Sequence, residues 1–289
     1  MHIDRAGYHS LKGLLRAVAS CDSLDMLFGD KALIGVIHLP ALPGAPRAAR
    51  TLAELREGVA RDASALAAAG FDAVLIENFG DAPFLKGSVG PETVACMTAL
   101  AEVARVESGL PLGVNVLRND AVAALAVAVA TSARFIRVNV LVGARVTDQG
   151  IIEGVAAELL RARRAFGAQD VAIIADVDVK HSAPLGGSSL TRTLDEARDA
   201  VHRALADALV VTGAHTGSAP DEMKLAALRE ALPHTPLWIG SGVREDTLSD
   251  WLQRADAVIV GSALRADGRA GGPIDAARAA SFARARGAR

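Results

Sequence analysis

Hydrophobic positions along the chain gather into eight short runs of strand length, at Leu33–His38, Ala73–Glu77, Leu112–Val116, Phe135–Val140, Val171–Asp176, Ala208–Val211, Leu237–Ile239 and Ala257–Val260. Most are separated by Ala-rich stretches with helical periodicity, such as Leu52–Ala69 and Asp120–Ala130. Strands alternating with helix-length crossovers predict a parallel α/β sheet. An open doubly wound sheet would want a Gly-rich dinucleotide fingerprint after its first strand, and none is there. The last two units instead have the form expected of a closed (β/α)8 TIM barrel. Three prolines and a glycine in HLPALPGAPR delay the first helix and stiffen the loop over the first strand end. The stretches NFGDAPFLKGSVG and VKHSAPLGGSSL read as ordinary long βα loops.

At 289 residues the chain exceeds an average domain, but a barrel commonly folds about 250 residues as one unit. Residues 1–31 are expected to form an N-terminal helical extension, with a short amphipathic helix over Leu11–Phe28 docking on the body. Residues 32–289 then form one barrel domain whose tail, after Gly268, is a Gly-rich turn and a short helix. A content of 51% hydrophobic and 22% charged residues supports a sizeable core. No stretch offers about 18 apolar residues free of charge, so no transmembrane segment is expected. With a net charge of -2 and aromatics at only 3%, nothing points to nucleic acid. Cys21 and Cys96 have neither metal-ligand spacing nor a disulfide framework, which suits a reducing, cytoplasmic setting. A homo-oligomer is compatible with all of this.

The seventh run leads directly into IGSGVRED and the eighth into IVGSALRADG. Gly240 and Gly242 permit close approach of backbone amides to an anion, and Gly261 and Ser262 occupy the matching place in the next unit. Barrels often hold a phosphate between these two loops, helped by a short helix N-terminus. Ser241 and Ser262 would add hydroxyls, and Thr212 and Gly213 end the sixth strand beside them. The plainer alternative is that the glycines only make tight turns. His215, in the sixth loop, reads as an ordinary loop residue.

A second set of polar residues closes the other strands. His38, Glu77 and Asn115 end the first three, while Arg137 and Asn139 share a parity on the fourth. Asp176, Asp178 and Lys180 also share one if extended geometry continues past the fifth strand. Some of these charges are expected to form structural ion pairs, notably Arg137 with Glu77 or Asp176. Lys180 could attack a carbonyl as a Schiff-base nucleophile, or stay charged and bind a phosphate or oxyanion. Asp176, Asp178, Glu77 and His38 or His181 could alternatively hold a divalent ion, for which carboxylates suit magnesium or manganese better than zinc.

The segments LIGVIHLPALPGAPR, VLIENFGDAPF, GVNVLRNDA, FIRVNVLVGARVTDQGIIEG, IADVDVKHSAPL, LVVTGAHTG and IGSGV, in this order from Leu33 to Arg265, resemble the BtpA/SgcQ family. The resemblance implies a barrel. For the founding members it implies a role in stabilising or assembling photosystem I at cyanobacterial thylakoids; other members look like components of bacterial sugar-utilisation systems. The chain departs from the family pattern at Arg265, where lysine is frequent, and near Thr247, where asparagine is. Two functions follow as expectations. The first is an enzyme, a lyase, isomerase or hydrolase, acting on a phosphorylated sugar or nucleoside-like metabolite. The second is a non-catalytic assembly or stability factor.

Overall fold

The computed structural model describes residues 30–213 and 221–287. The helix expected over Leu11–Phe28 and the loop residue His215 lie outside them. Eight parallel strands close into a barrel: β1 (Ala32–His38), β2 (Ala73–Glu77), β3 (Leu112–Asn115), β4 (Phe135–Val138), β7 (Ala172–Val177), β9 (Ala208–Val211), β10 (Leu237–Ile239) and β11 (Ala257–Val260). Helices α1 (Leu52–Ala69), α2 (Pro91–Ser108), α3 (Ala121–Thr131), α4 (Ala156–Ala165), α5 (Leu190–His202), α6 (Glu222–Ala231), α7 (Leu248–Arg254) and α8 (Ala276–Ala285) follow the strands in turn.

The barrel is filled from within by Ala32, Ile34, Val36, Ala73, Leu75, Phe135, Ile174, Val210, Trp238 and Ile259, all on the inward parity of their strands. Phe135 and Trp238 meet edge-to-face, with ring centroids 5.6 Å apart. Gly113 makes room for them, since a Cβ there would stand 2.2 Å from the Phe135 ring. The opposite parity packs against the helices in a second apolar layer that includes Leu33, Val74, Val114, Ile136 and Ile173. Five of these eight helices start on a side-chain cap. Thr51 and Glu54 form a capping box on α1, and Asp120, Ser189, Asp221 and Asp275 cap α3, α5, α6 and α8 through their side chains.

The loop after β7 is not the plain connection expected from the sequence, and it is joined by the loop after β4. Ala144–Thr147 (β5) and Gly150–Glu153 (β6) form an antiparallel hairpin, turned at Gly150 with φ +94°, and Ser182–Pro184 (β8) adds to it by pairing with β5. This three-stranded sheet stands on the C-terminal rim of the barrel.

Candidate functional site

Continuing the inward parity by one step leads every strand from an apolar residue to a polar or small one. Val36 is followed by His38, Leu75 by Glu77, Gly113 by Asn115, Phe135 by Arg137 and Ile174 by Asp176. In the remaining strands Val210 is followed by Thr212, Trp238 by Gly240 and Ile259 by Gly261. The top layer of the barrel is thus a ring of strand-end residues facing one mouth.

Arg137 is the hub of this ring. Its guanidinium donates to Glu77 Oε1 at 3.1 Å and to Asp176 Oδ1 at 3.0 and 3.2 Å, with 3% of the side chain exposed. Asn115 donates to Glu77 Oε1 at 3.0 Å, and the Asn139 amide donates to Asp176 Oδ2. Both ion pairs anticipated for Arg137 are therefore present together. Burial alone would push the Glu77 carboxyl up, but Arg137, aided by Lys180 and the Asn115 amide, holds it below the ordinary carboxylate range. His38 lies 3.9 Å from Glu77 and packs on the Phe79 ring with centroids 4.7 Å apart. Burial, reinforced by the Arg265 charge, lowers its pKa to about 3, so His38 is neutral in the folded protein.

Lys180 differs from the rest. Its backbone N–H donates to Thr212 Oγ1 at 3.2 Å, but among the described residues its amine enters no ion pair or hydrogen bond. Burial and then the neighbouring Arg137 lower its pKa, against the pull of Glu77 and Asp176. An amine in this setting loses its proton more readily than an exposed lysine.

Two spaces adjoin at this ring. A chamber of about 680 Å³ is bordered by Glu77, Asn115, Arg137, Asn139 and Lys180, and also by Phe79, Phe84, Arg118 and Arg47. A small cleft is bordered by His38, Gly240–Val243 and Gly261–Ala263. Glu77, Arg137 and Lys180 border both. In the cleft, the backbone N–H groups of Gly242, Val243, Ser262 and Ala263 donate to no acceptor among the described residues. Gly242 adopts φ +70°, a conformation that favours glycine, and a Cβ on Gly261 would stand 2.7 Å from the His38 ring. The short helix expected beyond Gly261 is a single 3-10 turn, Ser262–Leu264.

Several expected site residues fall elsewhere. Strand β7 ends at Val177 and Asp178 takes φ +57°, so the assumed parity is lost. The Asp178 side chain turns away from Asp176 to pair with Arg145 of β5 and Lys224 of α6. Those two cations outweigh burial and keep its pKa low. Thr212 and Gly213 do not border the glycine cleft. Thr212 Oγ1 accepts from Lys180, the Gly213 N–H donates to Ser241 Oγ at 2.9 Å, and both residues line a neighbouring cavity with Asp178. The alternative divalent-ion site is not assembled either. Among the described residues no three His, Cys, Asp or Glu side chains gather closely enough to hold a metal, and the Arg137 cation already lies between Glu77 and Asp176.

Sequence reasoning passed over Arg118, Arg145, Phe79 and Phe84. Arg118, 5% exposed, lies three residues beyond β3 in VNVLRND; the charge inside an otherwise apolar and amide-rich run was the available signal. Arg145 is fixed by Asp178, by Glu196 at 3.1 Å and by Ser182 Oγ at 3.1 Å. Arg265 anchors the cleft loop from behind. Its buried guanidinium donates to the carbonyls of Gly261 at 2.6 Å, Val36 at 2.9 Å and Gly272 at 3.1 Å.

Fold and mouth together define a closed (β/α)8 barrel with a polar chamber at the C-terminal ends of its strands. Within that class the chain belongs to the BtpA family, which it matches over residues 29–287. It is 45% identical over 250 residues to the photosystem I biogenesis protein BtpA of Synechocystis sp., covering 86% of each chain. Among solved structures it is similar to tryptophan synthase from M. tuberculosis, with a TM-score of 0.54 and 19% identity over 92% of this chain and 96% of that one. It is also similar to orotidine 5'-phosphate decarboxylase from Pyrococcus horikoshii OT3, with a TM-score of 0.51 and 12% identity over 88% and 98%. At these identities the two structures share the barrel fold with it.

Proposed function

We propose that the chain is a metabolic enzyme, of lyase, isomerase or hydrolase type, acting on a phosphorylated small molecule of the sugar or nucleoside class. The observation that carries this reading is the Lys180 amine, without an ion-pair partner among the described residues, at the meeting of the glycine cleft and the larger chamber. Four unspent amides in the cleft suit a phosphate, and barrels commonly use this position for one. The rest of the ligand then lies against Lys180, with Arg137 fixing the carboxylates of Glu77 and Asp176 around it. Lys180 serves there as acid/base group or as the amine that attacks a carbonyl. Trapping an adduct with borohydride separates the two roles.

On this reading residues 32–289 form the catalytic domain, residues 1–31 are an extension, and the site of action is the cytoplasm. Among the described residues no helix is long and apolar enough to cross a membrane. A purely assembling role, suggested by the name of the Synechocystis relative, is not favoured: docking does not call for an amine held beside a buried charge hub. The test is a thermal-shift screen of phosphorylated metabolites, with and without magnesium. A ligand at 100 times its Kd adds about 2.7 kcal/mol. For a barrel of this size that is roughly 5–11 °C in Tm. Lys180→Met should keep the fold and lose turnover of the hit. Unchanged melting across a broad panel would overturn the reading.

A further inference from the structure

The chain has seven Phe, two Trp and one Tyr, yet two of these ten aromatics, Phe79 and Phe84, line the wall of the 680 Å³ chamber. The same chamber is bordered by a buried donor and a buried acceptor without protein partners, Arg118 Nε and Asn139 Oδ1. Arg118 spends one Nη on the Lys180 carbonyl at 2.8 Å and pairs with no carboxylate among the described residues. The Asn139 amide faces the Asp176 carboxylate, which only accepts, so the nitrogen is fixed on that side and Oδ1 is the free end. Leaving such atoms unpaired and buried is costly, and a ligand that pairs both recovers the cost.

We infer that the chamber takes a planar nitrogen-heteroaromatic ring, such as a nucleobase, which accepts from Arg118, donates an N–H to Asn139 and lays its face against Phe79 and Phe84. A polyol would leave hydroxyls against Phe79, Phe84, Ala82 and Leu117, where nothing apolar can answer them. The inference rests on the proposed phosphate in the glycine cleft: Glu77, Arg137 and Lys180 border both spaces, so ring and phosphate belong to the two ends of one ligand.

Isothermal titration of the full chain with UMP, CMP, AMP and GMP, with ribose 5-phosphate, and with the four unphosphorylated nucleosides tests it. Stacking of a base on an aromatic side chain commonly changes affinity by about tenfold or more. At least one nucleotide is therefore expected to bind about tenfold more tightly than ribose 5-phosphate. Phe84→Ala, in a surface loop, should remove most of that margin while ribose 5-phosphate binds as before, and Arg118→Met should narrow the margin as well. The inference is overturned if no nucleotide exceeds ribose 5-phosphate, or if the margin survives both substitutions. If nucleosides bind as tightly as their phosphates, the ring site stands and the phosphate reading fails; if no probe binds, both fall.

Discussion

Replacing Arg137 by Met removes the cation that holds the barrel mouth together while keeping an unbranched, mostly apolar stem. Arg137 is 3% exposed and makes hydrogen bonds of 3.0–3.2 Å to two carboxylates that are themselves buried. Breaking a buried pair by removing one partner costs about 3–5 kcal/mol, because the remaining charge is left without compensation. At roughly 2–4 °C per kcal/mol for a chain of this size, Tm should fall by about 6–20 °C at pH 7.5. The pH dependence gives the sharper test. In the native protein Glu77 titrates below its ordinary value, so its contribution to stability is present above the unfolded carboxylate pKa and is lost only as pH falls through the folded one. Without Arg137 burial dominates and the folded value rises above the unfolded one. The penalty is then largest at neutral pH and fades as pH falls through the raised value. The gap between Arg137→Met and the native chain should narrow from pH 7.5 to pH 5, and adding Glu77→Gln should recover part of the loss at pH 7.5. Thermal and urea melts at the two pH values measure both effects. A variant as stable as the native chain at pH 7.5, or a gap that does not change with pH, would refute the argument.

His38, with a folded pKa of about 3 against 6.5 when free, makes the native state lose stability as pH falls from 6.5 towards 3, by a total on the order of 5 kcal/mol. His38→Gln should flatten the slope of Tm against pH between 4 and 6.5, and an unchanged slope would count against it. Arg265→Lys cannot span the three carbonyls of Gly261, Val36 and Gly272, so a loss of about 1–3 kcal/mol is expected in urea melts, with weaker phosphate binding as the Gly261 loop loosens. Asp178→Asn should lower Tm by releasing Arg145 and Lys224 but leave phosphate affinity unchanged, as titration with ribose 5-phosphate will show.

The eight barrel strands were readable nearly to the residue because each is a short apolar run with polar or Gly-rich ends. Leu237–Ile239 and Ala257–Val260 have the same limits in the structure, and β1 begins one residue before the expected Leu33. The top layer was readable for the same reason: period two carries Phe135 to Arg137 and Ile174 to Asp176 without reference to any other strand. Asp178 was misplaced because one residue at φ +57° ends that period, and its side chain answers to partners 33 and 46 positions away. The rim sheet escaped notice because Val146 and Ile151 are exposed, so β5 and β6 carry no buried apolar run. Phe79, Phe84 and Arg118 meet only through the folding back of two loops, a tertiary event that no local pattern announces.

Whether one ligand lies across the glycine cleft and the Lys180 amine is tested most directly by a crystal structure of the full chain soaked with ribose 5-phosphate. The phosphate should lie on the amides of Gly242, Val243, Ser262 and Ala263, with the sugar directed past Lys180 into the chamber bordered by Arg118 and Asn139. Sugar phosphate density elsewhere on the barrel, or an empty cleft at a concentration that saturates binding in solution, would contradict it.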